Sequence, residues 1–144
     1  KAVIPGGSSV PVVKGEIMMD VNMDYDSIAA VGSMLGSGGV IVMDESTCMV
    51  SVLHRISRFY YSESCGQCTP CREGTGWLYK ILSNLIEGRG SNNDLQQLDR
   101  IASQIEGHCI CALGDAAAMP VRSFLKNFWQ EFEYFVDKKE SMVK

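Results

Sequence analysis

Cys65-Gly66-Gln67-Cys68-Thr69-Pro70-Cys71 places three thiols at the spacing C-x2-C-x2-C, and two more cysteines follow at 109 and 111. Two-residue gaps let a tight loop turn its thiolates onto one small volume, as a metal centre requires. A tetrahedral zinc takes four ligands, and a cubane iron–sulfur cluster also takes four thiolates, one per iron. Three thiols in so short a run crowd a single zinc ion but suit three corners of a cube. Bacterial ferredoxins use the same two gaps before a later cysteine. The spacing therefore favours an iron–sulfur cluster, with a structural zinc as the alternative.

Outward from this loop the chain reads as helical. Before it, Ser46 or Thr47 can cap a helix whose stripe is Met49, Leu53, Ile56 and Tyr60, widened by Val50, Val52 and Phe59. After it, a second helix is predicted from Arg72 to Glu87. Trp77, Leu78, Ile81, Leu82, Leu85 and Ile86 form its apolar face, and Gly88-Arg89-Gly90-Ser91 breaks it. Asn92 or Asn93 caps a third helix, with Leu95, Leu98, Ala102 and Ile105 on one side and Gly107 as its stop. A fourth follows Cys111-Ala112-Leu113-Gly114-Asp115. Proline is tolerated in a first turn, so Pro120 sets the regular part to begin near 118–120. Its face is Val121, Phe124, Leu125, Phe128, Phe132 and Phe135. Trp77 and Trp129 read as packing residues. Four amphipathic helices with short connections predict a bundle over residues 46–136, with 137–144 a charged, frayed tail.

Residues 1–45 read differently. Ala2-Val3-Ile4 and Val10-Pro11-Val12-Val13 are short strands around a Pro5-Gly6-Gly7-Ser8-Ser9 turn. Asp24 or Asp26 caps a helix carrying Ile28, Val31 and Leu35, ended by Gly36-Ser37-Gly38-Gly39; Val40 to Met43 reads as a buried strand. Neither glycine cluster has the strand-then-helix order that phosphate binding needs. The fold class is therefore α+β. The first unit is too thin to stand alone, and it looks like the tail of a longer domain. Lys1 in place of a methionine fits the same expectation.

The 144 residues suit one domain, or two small ones sharing a core. With 46% apolar and 21% charged residues the chain is ordinary in composition, and a net charge of −4 argues against a nucleic-acid surface. The six cysteines are a poor disulfide framework, because three are crowded together and no secretory signal precedes them. The longest uncharged run, Ser27 to Met43, is too short and too broken by glycine to span a bilayer. Any link to a membrane would go through partners.

A fourth ligand is needed, and Cys48, Cys109 and Cys111 compete for it. Cys48 opens a helix that ends at the loop, on the order of 20 Å away by helix rise, and reads as a small buried residue. Cys109 and Cys111, at i and i+2, point opposite ways in an extended stretch, so one of them faces the cluster. Local geometry does not choose between them.

The stretches Glu63-Ser-Cys-Gly-Gln-Cys-Thr-Pro-Cys-Arg-Glu-Gly-Thr-Gly76 and Glu106-Gly-His-Cys-Ile-Cys-Ala-Leu-Gly-Asp115 resemble the flavoprotein subunit of respiratory complex I, an NADH-quinone oxidoreductase. The likeness runs from Ile4 to about Phe128. It implies one [4Fe-4S] cluster held by Cys65, Cys68, Cys71 and Cys111, with Cys109 a bystander where the family commonly has another residue. It implies that residues 1–45 end a ubiquitin-like β-grasp domain and that 46–136 are the helical cluster domain. FMN and NADH belong to a preceding domain whose glycine-rich motifs are absent here, so the piece alone should bind neither tightly and should be inactive. In the parent the flavin takes a hydride from NADH and gives electrons singly to the cluster, and the chain of transfers ends at quinone.

The same resemblance suggests Leu113 and Gly114 at the flavin's edge. It implies the 24 kDa-type and 75 kDa-type iron–sulfur subunits as partners. The place would be peripheral, on the cytoplasmic side of a bacterial inner membrane or the mitochondrial matrix side. The matching diaphorase subunit of an NAD-linked hydrogenase or formate dehydrogenase is the near alternative. Around the thiols, the amides near Gly66, Thr69 and Gly74 are candidate donors to sulfur, and Arg72 is either a charge partner of the cluster or a solvated side chain. His108 reads as structural. Apolar surface bared by a missing domain would favour self-association.

Overall fold

The computed structural model describes residues 1–143; Lys144, the end of the expected tail, lies outside them. Three strands, β1 (Ala2–Ile4), β2 (Val13–Lys14) and β3 (Ile41–Met43), form an antiparallel sheet in the order β2-β1-β3. Ala2 faces Lys14 and Met43, and Ile4 faces Ile41. The alternation sends Ala2 and Ile4 into the core. The expectation of a buried last strand is corrected here. β3 is an edge strand, with Val40, Ile41 and Val42 exposed and only Met43 buried.

Two short helices, α1 (Gly15–Met18) and α2 (Tyr25–Ala30), lie between β2 and β3. Asp24 caps α2 by accepting the Ser27 N–H at 2.8 Å. The helix does not continue to Leu35 as its apolar spacing suggested. Gly32 adopts a left-handed φ of 79° and ends it a turn earlier. The two glycine clusters instead meet each other. A Cβ on Gly6 would stand 2.4 Å from the Met34 carbonyl oxygen, and the Gly7 N–H donates to the Gly39 carbonyl at 2.7 Å. Glycine is there so that two backbones can touch.

Four longer helices follow: α3 (Met49–Glu63), α4 (Thr69–Ile86), α5 (Asn92–Ile105) and α6 (Leu113–Lys138). Each of α3 and α5 packs on both α4 and α6, and α4 and α6 touch between them. One apolar core runs from Ala2, Ile4, Val10 and Val12 of the sheet region through Leu53, Leu82, Leu98, Phe124 and Phe132 of the helices. Polar contacts reinforce the join. Val12 donates its N–H to Ser123 Oγ at 3.0 Å, and Asn127 Nδ2 donates to the Val12 carbonyl at 2.9 Å. The Lys1 ammonium pairs with the buried Glu131 carboxylate at 2.7 Å, and Glu131 also accepts the Met49 N–H.

Several expected helix details are corrected. Ser46 and Thr47 do not cap α3. Their hydroxyls donate to Asp44, whose pKa they hold below the ordinary carboxylate value, and Cys48 takes the N-cap. α5 is capped by Ser91 rather than Asn92 or Asn93, because Asp94 at the third helical position completes a reciprocal capping box. α6 starts at Leu113, so Pro120 sits well inside it and is buried. Burying Ala117, Ala118 and Val121 offsets the missing backbone bond, and the helix departs from regular geometry at Phe128 instead (φ −129°, ψ 25°). Phe59, Trp77 and Trp129 are not core residues. Phe59 and Trp77 are more than half exposed, since α3 and α4 turn Leu53, Ile56, Leu78 and Leu82 inward instead, and Trp129 on α6 is partly exposed. Beyond α6, Lys139 adopts a left-handed φ of 60° and its ammonium donates to the Gly90 carbonyl at 2.8 Å.

His54 on α3 stacks on Tyr79 with ring centres 5.1 Å apart, and its Nε2 lies 3.0 Å from Ser83 Oγ. Burial pushes its pKa below 6.5, and Arg58 adds to this while Glu87 opposes it. A depressed histidine contributes stability that is full above the ordinary value and is lost as pH falls through the folded one. Between about pH 7.5 and 5.5, the denaturant midpoint of the native chain should therefore fall further than that of His54→Gln.

Candidate metal centre

Ser64 turns the chain out of α3 with extended backbone angles (φ −63°, ψ 122°). Gly66 takes a left-handed φ of 80°, Cys68 forms the N-cap of α4, and Pro70 lies in the first turn. Proline fits there because a first-turn N–H has no helical acceptor anyway. The three thiols thus sit at a turn, at a helix cap and in the first turn of that helix. Free amides and the positive end of α4 favour an anion at this position. Cys65 is exposed, Cys68 half-buried and Cys71 buried. Two hydroxyls hold Cys71: Ser64 Oγ lies 3.2 Å from its sulfur, and Thr75 Oγ1 donates to its carbonyl at 2.7 Å.

The second loop joins α5 to α6. Gly107 turns it with φ 73° and donates its N–H to Asp115 Oδ1 at 2.7 Å. The Ile110 N–H then donates to Cys68 Sγ at 3.3 Å, which brings the two loops together. Cys109 is half-buried, with its thiol directed to the Ile105 carbonyl at 3.7 Å. Burial raises its pKa, and the neighbouring thiols of Cys71 and Cys68 push the same way. Gly114 is buried beneath it, where a Cβ would come within 2.6 Å of the Cys109 sulfur. Cys111 is exposed, and Leu113 is half-buried at the start of α6. Cys48 lies at the far end of α3 and is half-buried rather than fully buried.

Among the described residues, no three cysteine, histidine, aspartate or glutamate side chains are gathered closely enough to hold a metal ion. The structure joins the loops through Cys68 and Ile110 and leaves Cys65 and Cys111 at the surface. The donor set still suits a thiolate-bound centre. The candidate ligands are all sulfur, Cys68 and Cys71 lie at the N-terminal end of α4, and one loop amide already bonds a sulfur across the gap. Arg72 braces the turn, donating to the Gly66 carbonyl at 3.1 Å and pairing with Glu73. His108 is exposed, with Nδ1 2.8 Å from the Glu106 carbonyl oxygen. Ser64 was not singled out by the sequence. Its one signal was a hydroxyl next to the first cysteine, and adjacency does not reveal a contact with the third.

A small antiparallel sheet and four packed helices carry two cysteine loops that meet where the Ile110 N–H bonds Cys68 Sγ. Residues 51–135 match the family model described as "NADH-ubiquinone oxidoreductase-F iron-sulfur binding region". The chain belongs to that family. It is 51% identical over 133 residues to the F-type subunit of NADH-quinone oxidoreductase in Rickettsia bellii (strain OSU 85-389), which covers 92% of this chain and 32% of that protein. It is likewise 51% identical over 137 residues to an F-type subunit of the same enzyme in Rhizobium meliloti (strain 1021), covering 95% and 32%. The chain therefore spans about a third of the length of these relatives. The fold is similar to a chain in the crystal structure of an NAD+-reducing [NiFe]-hydrogenase in the H2-reduced state. There the TM-score is 0.82 at 28% identity, over 94% of this chain and 22% of that one.

Proposed function

We propose that this chain carries the [4Fe-4S] centre of an NADH-quinone oxidoreductase flavoprotein subunit and relays single electrons from FMN toward quinone. The observation that supports it best is the Ile110 N–H bonded to Cys68 Sγ, which sets the Cys109–Cys111 loop against the Cys65–Cys71 loop within the matched region. Cys65, Cys68 and Cys71 are the proposed ligands of the first loop and Cys111 that of the second, adjacent to an amide already at the site. A cluster bound there would accept and release one electron at a time. The chain's own part is to hold four thiolates, to donate N–H and O–H groups to sulfur and to limit water on the Cys71 side.

FMN and NADH belong to the remainder of the protein in this reading, and the piece alone would not oxidise NADH. Residues 1–45 end a β-grasp-like unit and 46–136 form a four-helix bundle, whose last helix continues through Lys138 where a frayed tail was expected. Leu113 and the Gly114 backbone would line the flavin's edge in the intact subunit; the burial of Gly114 against Cys109 leaves Leu113 the more exposed of the two. Partners are the 24 kDa-type and 75 kDa-type iron–sulfur subunits, at the cytoplasmic face of a bacterial inner membrane or its matrix counterpart. Among the described residues no helix is long and apolar enough to cross a membrane. The structural likeness to an NAD+-reducing hydrogenase favours a diaphorase subunit as the second reading.

Purification without air followed by iron, sulfide and zinc analysis tests the proposal. About four irons and four sulfides per chain are expected. A colourless protein holding one zinc would overturn it in favour of a structural metal site.

A further inference from the structure

Ser64 Oγ lies 3.2 Å from Cys71 Sγ, and Cys71 is the most buried of the clustered thiols. In the free protein either group can donate. Once Cys71 is a thiolate ligand it has no proton left, and only Ser64 can donate. We infer that Ser64 is a tuning residue whose O–H bonds the Cys71 thiolate and holds the reduction potential of the bound cluster up. This rests on the proposed ligation by Cys71.

The direction follows from charge. Reduction adds one electron to the cluster; no bond forms or breaks, and the Ser64 proton stays on its oxygen. The added negative charge spreads onto the sulfurs, so a donor to sulfur stabilises the reduced state more than the oxidised one. The site is partly dry at Cys71, which strengthens the bond. Cys68 receives the Ile110 amide instead, and that donor is beyond the reach of side-chain substitution. Ser64 has a separate backbone role: its N–H closes α3 on the Tyr60 carbonyl at 3.1 Å. Ser64→Ala keeps that bond and removes only the hydroxyl.

The experiment is an EPR-monitored titration with dithionite on the air-free chain, comparing wild type, Ser64→Ala and Ser64→Thr, each with iron and sulfide counted. Ser64→Ala is expected to keep its iron and to shift the one-electron equilibrium toward the oxidised state by about tenfold, a fall of 59 mV. Ser64→Thr restores the wild-type value. An unchanged potential in iron-replete Ser64→Ala overturns the inference alone. So does loss of iron from that variant, which would make Ser64 a requirement for assembly. A wild type without iron overturns the ligation reading together with it.

Discussion

Cys68→Ser is expected to remove most of the iron and to lower folding stability in the same step. Cys68 carries two roles at once. It is a proposed ligand at the cap of α4, and its sulfur accepts the Ile110 N–H that joins the second loop to the first. Serine's hydroxyl is a poor substitute for a thiolate on iron, and its shorter reach from Cβ breaks the link to Ile110. Ligation in a small domain contributes directly to folding, because the unfolded chain does not present a formed site. Iron per chain should fall from about four to below one, with a lower thermal midpoint. Cys48→Ser supplies the control. That thiol caps the opposite end of α3, on the order of 20 Å away by helix rise, and its variant should keep its iron. Equal iron in Cys68→Ser and wild type would sink the assignment, whatever the stability showed.

The two-residue gaps of the cysteine loop were legible because the chemistry of a metal centre is local in sequence there. The helices beside it were legible because apolar residues recur at helical spacing within each, such as Leu78, Leu82 and Leu85 on α4 and Leu95, Leu98 and Ala102 on α5, and all of these are buried. Where reading failed, a tertiary or competing local effect decided. Phe59 and Trp77 have the right spacing to widen an apolar stripe, but the width of the buried face is set by how many helices surround it, which spacing cannot show. Pro120 reads as a helix start because its local cost is about 3 kcal/mol, yet the small side chains before it let α6 pack closely and begin earlier. Val40 to Val42 read as buried because they are apolar, while their place at a sheet edge depends on strand order. At the site, the meeting of the two loops was expected from ligand number alone. The actual contact, Ile110 on Cys68, is made by α5 and α6 packing and leaves no mark in either loop's sequence.

Phe124→Ala should separate fold stability from metal content. Phe124 is fully buried on α6, in the core shared by the sheet region and the helices, and its ring lies 6.3 Å from that of Phe128, where the helix kinks. Truncation removes apolar contacts and opens a cavity that close-packed helices fill only in part, a loss of about 3–5 kcal/mol. Against a total of about 5–15 kcal/mol for a domain, that is a large share. For a chain of this length the thermal midpoint should drop on the order of 10 °C. No sulfur ligand is touched, so iron per folded chain should stay at the wild-type level, opposite to Cys68→Ser. The pair of variants then reads the coupling between core and cluster. If Phe124→Ala also empties the site at temperatures where its circular dichroism remains native, then the loops depend on fine packing of α6, and the site is not held by local geometry at the end of α4. Unchanged iron with a lowered midpoint places the ligand scaffold in the loops themselves, with the helices supplying only their support.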